Sequence, residues 1–303
     1  MNMRKPLTNT MTPVQYVLNK VPEVSIMFWI IKLLSTFMGE AASDFLSGLG
    51  SQNHRGGQPS GIGHAAVGTL ANIGSQPNFA MSNGPGGTQS GMSISFTPVM
   101  GIMCVVLLIT MILQIRSKRY VPWKYWLNVA AVAVFGTAAA DAVHLGSLMI
   151  TSTVFAAILA IVIITWYGTE KTLNVHNINT LRREIFYWAT VLATFMLGTV
   201  LGDYTAMSLH LGNLVSGFIF IGLIAVPAVA YQVFGMNEVF AFWFAYIITR
   251  PLGASFADWL AHERGLGTGP VSLVSTILII SLVAYVSFAI KREKKIIYNP
   301  QLS

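Results

Sequence analysis

All four aspartates of this chain sit in the same frame. Asp44, Asp141, Asp203 and Asp258 each follow a glycine by five residues and a tryptophan by fifteen. The frames are Trp29/Gly39/Asp44, Trp126/Gly136/Asp141, Trp188/Gly198/Asp203 and Trp243/Gly253/Asp258. A small residue, Ser43, Ala140, Gly202 or Ala257, stands before each aspartate. Each frame lies inside an apolar segment, where an ionisable side chain is costly and marks a site by default. A pattern recurring with fixed internal spacing is an internal repeat. The chain is therefore expected to fold as four similar units, each delivering one carboxylate.

The apolar segments set the class. Of 303 residues, 54% are hydrophobic and only 10% charged, whereas a soluble domain is about one quarter charged. Apolar runs near 26–47, 95–115, 125–145, 148–167, 186–208, 213–234, 239–261 and 270–290 are long enough to span a hydrocarbon core of about 30 Å. Lipid offers no partner to backbone N–H and C=O groups, so each run closes its own hydrogen bonds as a helix. The alternation of a membrane barrel is absent. The expected fold is all-α and polytopic, with eight transmembrane helices arranged as four parallel two-helix repeats. Residues 1–24 form a lead, followed by repeats at 25–117, 118–180, 181–236 and 237–290 and a tail at 291–303. The first repeat carries a Gly/Ser-rich loop over 49–93, read as a flexible insertion or a lid over the mouth, with His54 and His64 in it. Met1–Val24 lacks the basic, apolar and cleavage regions of a signal peptide. The single cysteine, Cys104, permits no intramolecular disulfide.

Charge fixes the expected orientation. The lead, the loops after spans 2, 4 and 6 and the tail together hold fourteen Lys and Arg residues. The opposite side holds Arg55 and Arg264 alone, and Lys32 and Arg250 lie within spans. That asymmetry places both termini in the cytoplasm. The formal charge of +7 then reflects topology and contact with anionic lipid. The basic residues are short juxtamembrane flanks without an aromatic platform, so no nucleic-acid partner is expected.

The segments VPEVSIMFWIIKLLSTFMGEAASDFL, YWLNVAAVAVFGTAAADAV, FYWATVLATFMLGTVLGDYTA and FWFAYIITRPLGASFADWLA resemble the four copies of a short repeat in a family of bacterial integral-membrane proteins. That family is described only as membrane-anchored and as carrying a repeat of unknown function. The resemblance covers about residues 20–290 apart from the long loop. It implies four repeats in a bacterial inner-membrane protein and carries over no activity. Two departures stand out: Thr137 and Thr199 occupy the place of Glu40, and the 49–93 insertion is longer than the short connection expected there.

Fifteen helical residues from Trp to Asp span about 22 Å. With the tryptophans in the cytoplasmic aromatic belt, the aspartates fall at one depth in the outer half. The pairs Gly39/Ser43, Gly136/Ala140, Gly198/Gly202 and Gly253/Ala257 are small-xxx-small, which lets the odd-numbered helices converge beside the acids. The even-numbered helices read as a lipid-facing shell. Trp123, Trp166 and Trp259 suit interfacial anchoring, and Glu184 and the other loop glutamates suit solvated positions.

Glu40 lies one turn before Asp44 on the same face. Five carboxylates at one level share protons, pair with bases or hold a cation. Arg250 and Lys32 are the internal bases and the candidate counter-charges or gate. Arg250 is expected to pair with another repeat or to snorkel inward, and Lys32, three residues from Trp29, to reach the inner headgroups. His144, His210 and His262 follow their aspartates by three, seven and four residues and are candidate co-ligands for manganese or zinc, without a recognised ligand spacing.

The expected function is passage of a small cation, divalent or proton-coupled, along a ring of intramembrane carboxylates. Asp44 and Glu40 form its asymmetric pair, and Asp141, Asp203 and Asp258 serve as co-ligands or proton carriers. The partners are the lipid bilayer and the cation itself. Two other readings stay open: a membrane scaffold with structural carboxylates, and an intramembrane hydrolase using an Asp with a His. Nucleotide loop, His-Glu-x-x-His, nucleophile elbow and CxxC are all missing, which weighs against enzymes. Oligomeric state is left open, since four repeats already close a bundle.

Overall fold

The computed structural model describes residues 19–53, 93–94 and 98–298; most of the long loop, with His54 and His64, lies outside them. The described chain is helical almost throughout. Its long helices are α1 (Ile26–Asn53), α2 (Pro98–Ile115), α3 (Pro122–Asp141), α4 (Leu148–Glu170), α5 (Leu181–Asp203), α6 (Gly212–Phe234), α7 (Glu238–Asp258) and α8 (Thr268–Tyr298). Local chemistry sets the boundaries. Pro122 opens α3 where its missing N–H costs nothing, and the side chains of Ser147, Thr180 and Asn237 accept from the first free N–H groups of α4, α5 and α7. Asp203 and Asp258 are each followed by a π-helical turn, Tyr204–Ser208 and Trp259–Glu263. The strands β1 (Ser93–Ile94) and β2 (Val143–His144) pair antiparallel and tie the end of the long loop to the α3–α4 turn.

Seven of these helices are long and apolar enough to cross a membrane, so the chain is a membrane protein. The eighth, α3, carries Lys124, Asn128, Thr137 and Asp141 within twenty residues. Two of these polar groups face protein: Asn128 and Thr137 are fully buried, and Asn128 accepts from Thr110 of α2 at 2.9 Å.

The helices form two concentric rings. In the inner ring α1 packs on α3, α3 on α5, α5 on α7, and α7 back on α1. The outer helices pack one step ahead of their own repeat: α2 on α3, α4 on α5, α6 on α7, and α8 on α1. The expected shell is borne out by burial. Of the membrane-crossing stretches of α1, α5 and α7, 56, 67 and 56% is buried, against 28, 17, 24 and 17% for α2, α4, α6 and α8.

Two layers close the inner ring with fourfold regularity. In the glycine layer a Cβ on Gly39 would overlap Ala133, one on Gly136 would overlap Phe195, one on Gly198 would overlap Arg250, and one on Gly253 would overlap Thr36. Each glycine thus receives the residue three places before the glycine of the next helix, and the fourth returns to the first. Thr36 reinforces the last contact by donating to the Thr249 carbonyl at 3.3 Å. Close backbone approach of this kind is how small residues hold membrane helices together.

The second layer lies ten residues earlier. Each tryptophan of the frame is preceded by an aromatic residue, Phe28, Tyr125, Tyr187 or Phe242, and each of these meets the tryptophan of the next helix. Ring centroids are 5.8 Å apart for Phe28–Trp126, 5.5 Å for Tyr125–Trp188, 6.1 Å for Tyr187–Trp243 and 5.7 Å for Phe242–Trp29. Trp126, Trp188 and Trp243 are buried in this cluster. The expected lipid-facing belt is therefore corrected to an inward-facing aromatic floor. Where the helices are not drawn together by glycine, large rings fill the space between them. Trp166 is buried as well, stacked on Phe186 and edge-on to Trp243, instead of anchoring at the interface.

Candidate functional site

Around the glycine layer the repeats differ at two positions. The position after the glycine holds Glu40, Thr137, Thr199 and Ala254, and the position three before it holds Thr36, Ala133, Phe195 and Arg250. Arg250 lies against the bare backbone of Gly198, where no other side chain fits. Its guanidinium collects the polar groups of the other three helices. Nη2 donates to Glu40 Oε2 at 2.6 Å, to Thr199 Oγ1 at 2.7 Å and to Thr137 Oγ1. The two threonine hydroxyls give their own protons to backbone carbonyls, Thr137 to Ala133 at 3.0 Å and Thr199 to Phe195 at 3.1 Å. Their oxygens are thereby left to accept from Arg250. Arg250 is 0% and Glu40 4% exposed, so this ion pair crosses the bundle out of contact with water. Removing one partner of such a pair leaves a buried charge uncompensated.

One turn above Glu40 the bundle opens into an acidic end. Asp44 and Asp258 are half-buried, and with His262 they present one ligand atom each within 4.8 Å of one another. The π-helical turn after Asp258 carries His262 back to it, with Nδ1 3.9 Å from Asp258 Oδ1. Asp203 is half-buried and Asp141 exposed. Asp258 is in electrostatic range of Glu40, Asp44, Asp203 and Asp141, which puts all five carboxylates around one end of the bundle. Two carboxylates and an imidazole suit a divalent cation of the manganese or zinc type.

The other candidates separate. Among the described residues His210 is exposed in a left-handed turn after the first π-helical turn and joins no ligand group. His144 lies on β2 with its side chain outside the described residues. Gly202 meets Ala254 and Pro251 at ordinary contact distance, a looser approach than at the other glycines. Lys32 corrects the snorkelling expectation. It is 1% exposed, with Nζ 4.2 Å from the centre of the Phe195 ring and 4.3 Å from that of Tyr246. Inward-facing rings offer its ammonium their negative π faces, and the route to the headgroups is filled by the aromatic floor. Glu184 also departs from the solvated reading: it is 1% exposed and bonds Lys20 at 2.6 Å and Gln114 at 3.4 Å, pinning the segment before α1 against α5 and α2.

Two groups were missed by reading the sequence. Thr137 and Thr199 appeared only as departures from Glu40, yet they are acceptors for Arg250. The aromatic residue before each tryptophan is the other. Both signals stand in the aligned frames as columns, polar in three of four repeats after the glycine and aromatic in all four before the tryptophan.

No curated protein and no solved structure matches the chain significantly. Residues 124–172, 186–236 and 241–291 match a family model described as Repeat of Unknown Function (DUF347). These three stretches correspond to α3 with α4, α5 with α6, and α7 with α8, so three successive helical pairs of the chain are similar to that repeat.

Proposed function

We propose that the protein is a small-cation transporter of the bacterial cytoplasmic membrane, with eight transmembrane helices and both termini in the cytoplasm. Helices α1 and α2 are its fourth repeat copy: α1 fills the fourth place in both regular layers, with the same glycine and aromatic contacts as α3, α5 and α7. The fourteen-to-two split of basic residues supports the orientation.

The observation that carries the functional reading is the convergence of Asp44, Asp258 and His262 directly above the Glu40–Arg250 pair. A cation entering the acidic end exchanges water for two carboxylate oxygens and an imidazole nitrogen. Asp141 and Asp203 raise its local concentration and take part as co-ligands or proton carriers. Glu40 is the next acceptor inward, and Arg250 occupies it. Entry of the cation to that depth means competing with Arg250 for the same carboxylate, which makes the pair a counter-charged gate. Below it the aromatic floor forms a second barrier, so a transport cycle opens the two in alternation.

The test is uptake and efflux in proteoliposomes over Mn²⁺, Mg²⁺, Zn²⁺, Ca²⁺, Na⁺ and K⁺, comparing wild type with Asp44→Asn and Asp258→Asn. Flux of one cation in wild type, lost in folded variants, is the expected result. No flux of any cation with wild type sinks the proposal. In that event the scaffold reading gains, favoured by one specific observation: the Arg250 network ties α1, α3, α5 and α7 together, as a structural cross-link does.

A further inference from the structure

At and below the gate two buried bases are short of hydrogen-bond partners. Lys32 and Arg250 are both fully buried, and Glu40 is the one carboxylate bonded to either of them among the described residues. The four aspartates lie above the gate at the open end. Among the described residues Lys32 Nζ has no hydrogen-bond partner, and neither do Nε and Nη1 of Arg250, whose Nη2 makes all of that side chain's bonds. The two cations lean on one ring: Lys32 Nζ is 4.2 Å and Arg250 Cζ 5.2 Å from the centre of Phe195. Ring faces attract a cation, but they supply neither a negative charge nor a hydrogen-bond acceptor. A buried charge without an acceptor is costly in a membrane interior: it is paired with a counter-charge, or the group gives up its charge.

We infer that the Lys32 ammonium and the free N–H groups of Arg250 form a subsite for a small monovalent anion, beneath the gate and separate from the acidic end. One anion seated between them would accept from both side chains and offset their charge. The unpartnered atoms named here are all on donor groups, and a halide only accepts; a polyatomic acid would bring further oxygens that need donors of their own. The inference stands on the buried bases and does not depend on the cation reading, because a scaffold with these two side chains needs the same counter-ion.

The experiment uses the full chain purified in detergent without divalent cations, with chloride and bromide as probes. Wild type is expected to gain thermal stability saturably in chloride, relative to gluconate at equal ionic strength. Lys32→Met keeps the length and apolar packing of the side chain without the charge. Its apparent chloride affinity should fall roughly tenfold or more, the loss of one charge-assisted hydrogen bond in a buried site. Asp44→Asn with Asp258→Asn should keep or strengthen the chloride response, which separates this site from the acidic end. Should Lys32→Met fail to fold, bromide anomalous scattering from wild-type crystals decides: a peak in contact with Lys32 Nζ and Arg250 is expected. A chloride response that is absent in wild type or retained in Lys32→Met overturns the inference. So does the lack of a bromide peak at that position, and Lys32 is then held neutral between its two rings.

Discussion

The glycine and aromatic contacts and the polar network beside the glycines are drawn from the same four helices, yet they follow opposite rules. In the two regular layers every helix makes the same contact with the next, and the fourth closes on the first. In the polar network, one helix gives an acid, two give a hydroxyl and the last gives a base. Regular contacts set the spacing of the ring and need no charge. The irregular network places one buried ion pair between the acidic end and the floor, which four identical repeats could not do, since four acids or four bases in one place would repel. The scaffold is thus repeated and the site is singular.

Substitutions break that comparison most sharply at the ion pair. Glu40→Ala leaves the Arg250 guanidinium without its carboxylate and should lower stability by about 3–5 kcal/mol, seen as a fall in the thermal midpoint in detergent. Glu40→Met combined with Arg250→Met should recover most of that loss, because an apolar pair of similar volume carries no uncompensated charge. The double variant should fold and transport nothing. Full cation flux through it would reduce the pair to a cross-link.

Next in size is the glycine layer. Gly136→Ala forces a methyl group into Phe195 and should cost about 1–3 kcal/mol. Gly222→Ala on the lipid-facing α6 meets open space and should be neutral or slightly stabilising by the same thermal assay. Equal effects at the two sites would contradict the closed inner ring.

Thr199→Val sharpens the contrast within the irregular network. It removes one acceptor of Arg250 while keeping shape, and should cost about 1 kcal/mol, the usual scale for a polar contact between membrane helices. The smallest effect is expected at Asp141, which is exposed: Asp141→Asn should shift stability by no more than about 0.5 kcal/mol.

Much of the regular part was legible because it repeats. The fifteen-residue interval from Trp to Asp and the glycine five residues before each acid are enough to predict converging helices and acids at one end, and the packing of Gly39 on Ala133 and its three counterparts follows that pattern. Lengths of apolar runs placed all eight helices, most ends to within five residues, while the first and last run six and eight residues further than expected. Side-chain direction was harder to read. Lys32 and the frame tryptophans sit near a membrane boundary in sequence, and lipid or protein could equally receive them; the aromatic residue beside each tryptophan is what turns that region inward. The pairing of Arg250 with Glu40 joins residues 210 apart and depends on which helices are neighbours across the ring. His262 lies within reach of Asp258 at the four-residue spacing visible in the sequence, although the π-helical turn that carries it was not.

The central claim is that the acidic end holds a cation at an asymmetric place within the fourfold frame. Equilibrium binding of Mn²⁺ to the purified protein, read by the loss of the free-ion electron paramagnetic resonance signal, tests it most directly. Wild type should bind. Asp44→Asn with Asp258→Asn should abolish binding, while Asp141→Asn with Asp203→Asn should weaken it and leave it measurable. Absence of Mn²⁺ binding in wild type, or equal losses in the two double variants, would contradict the account.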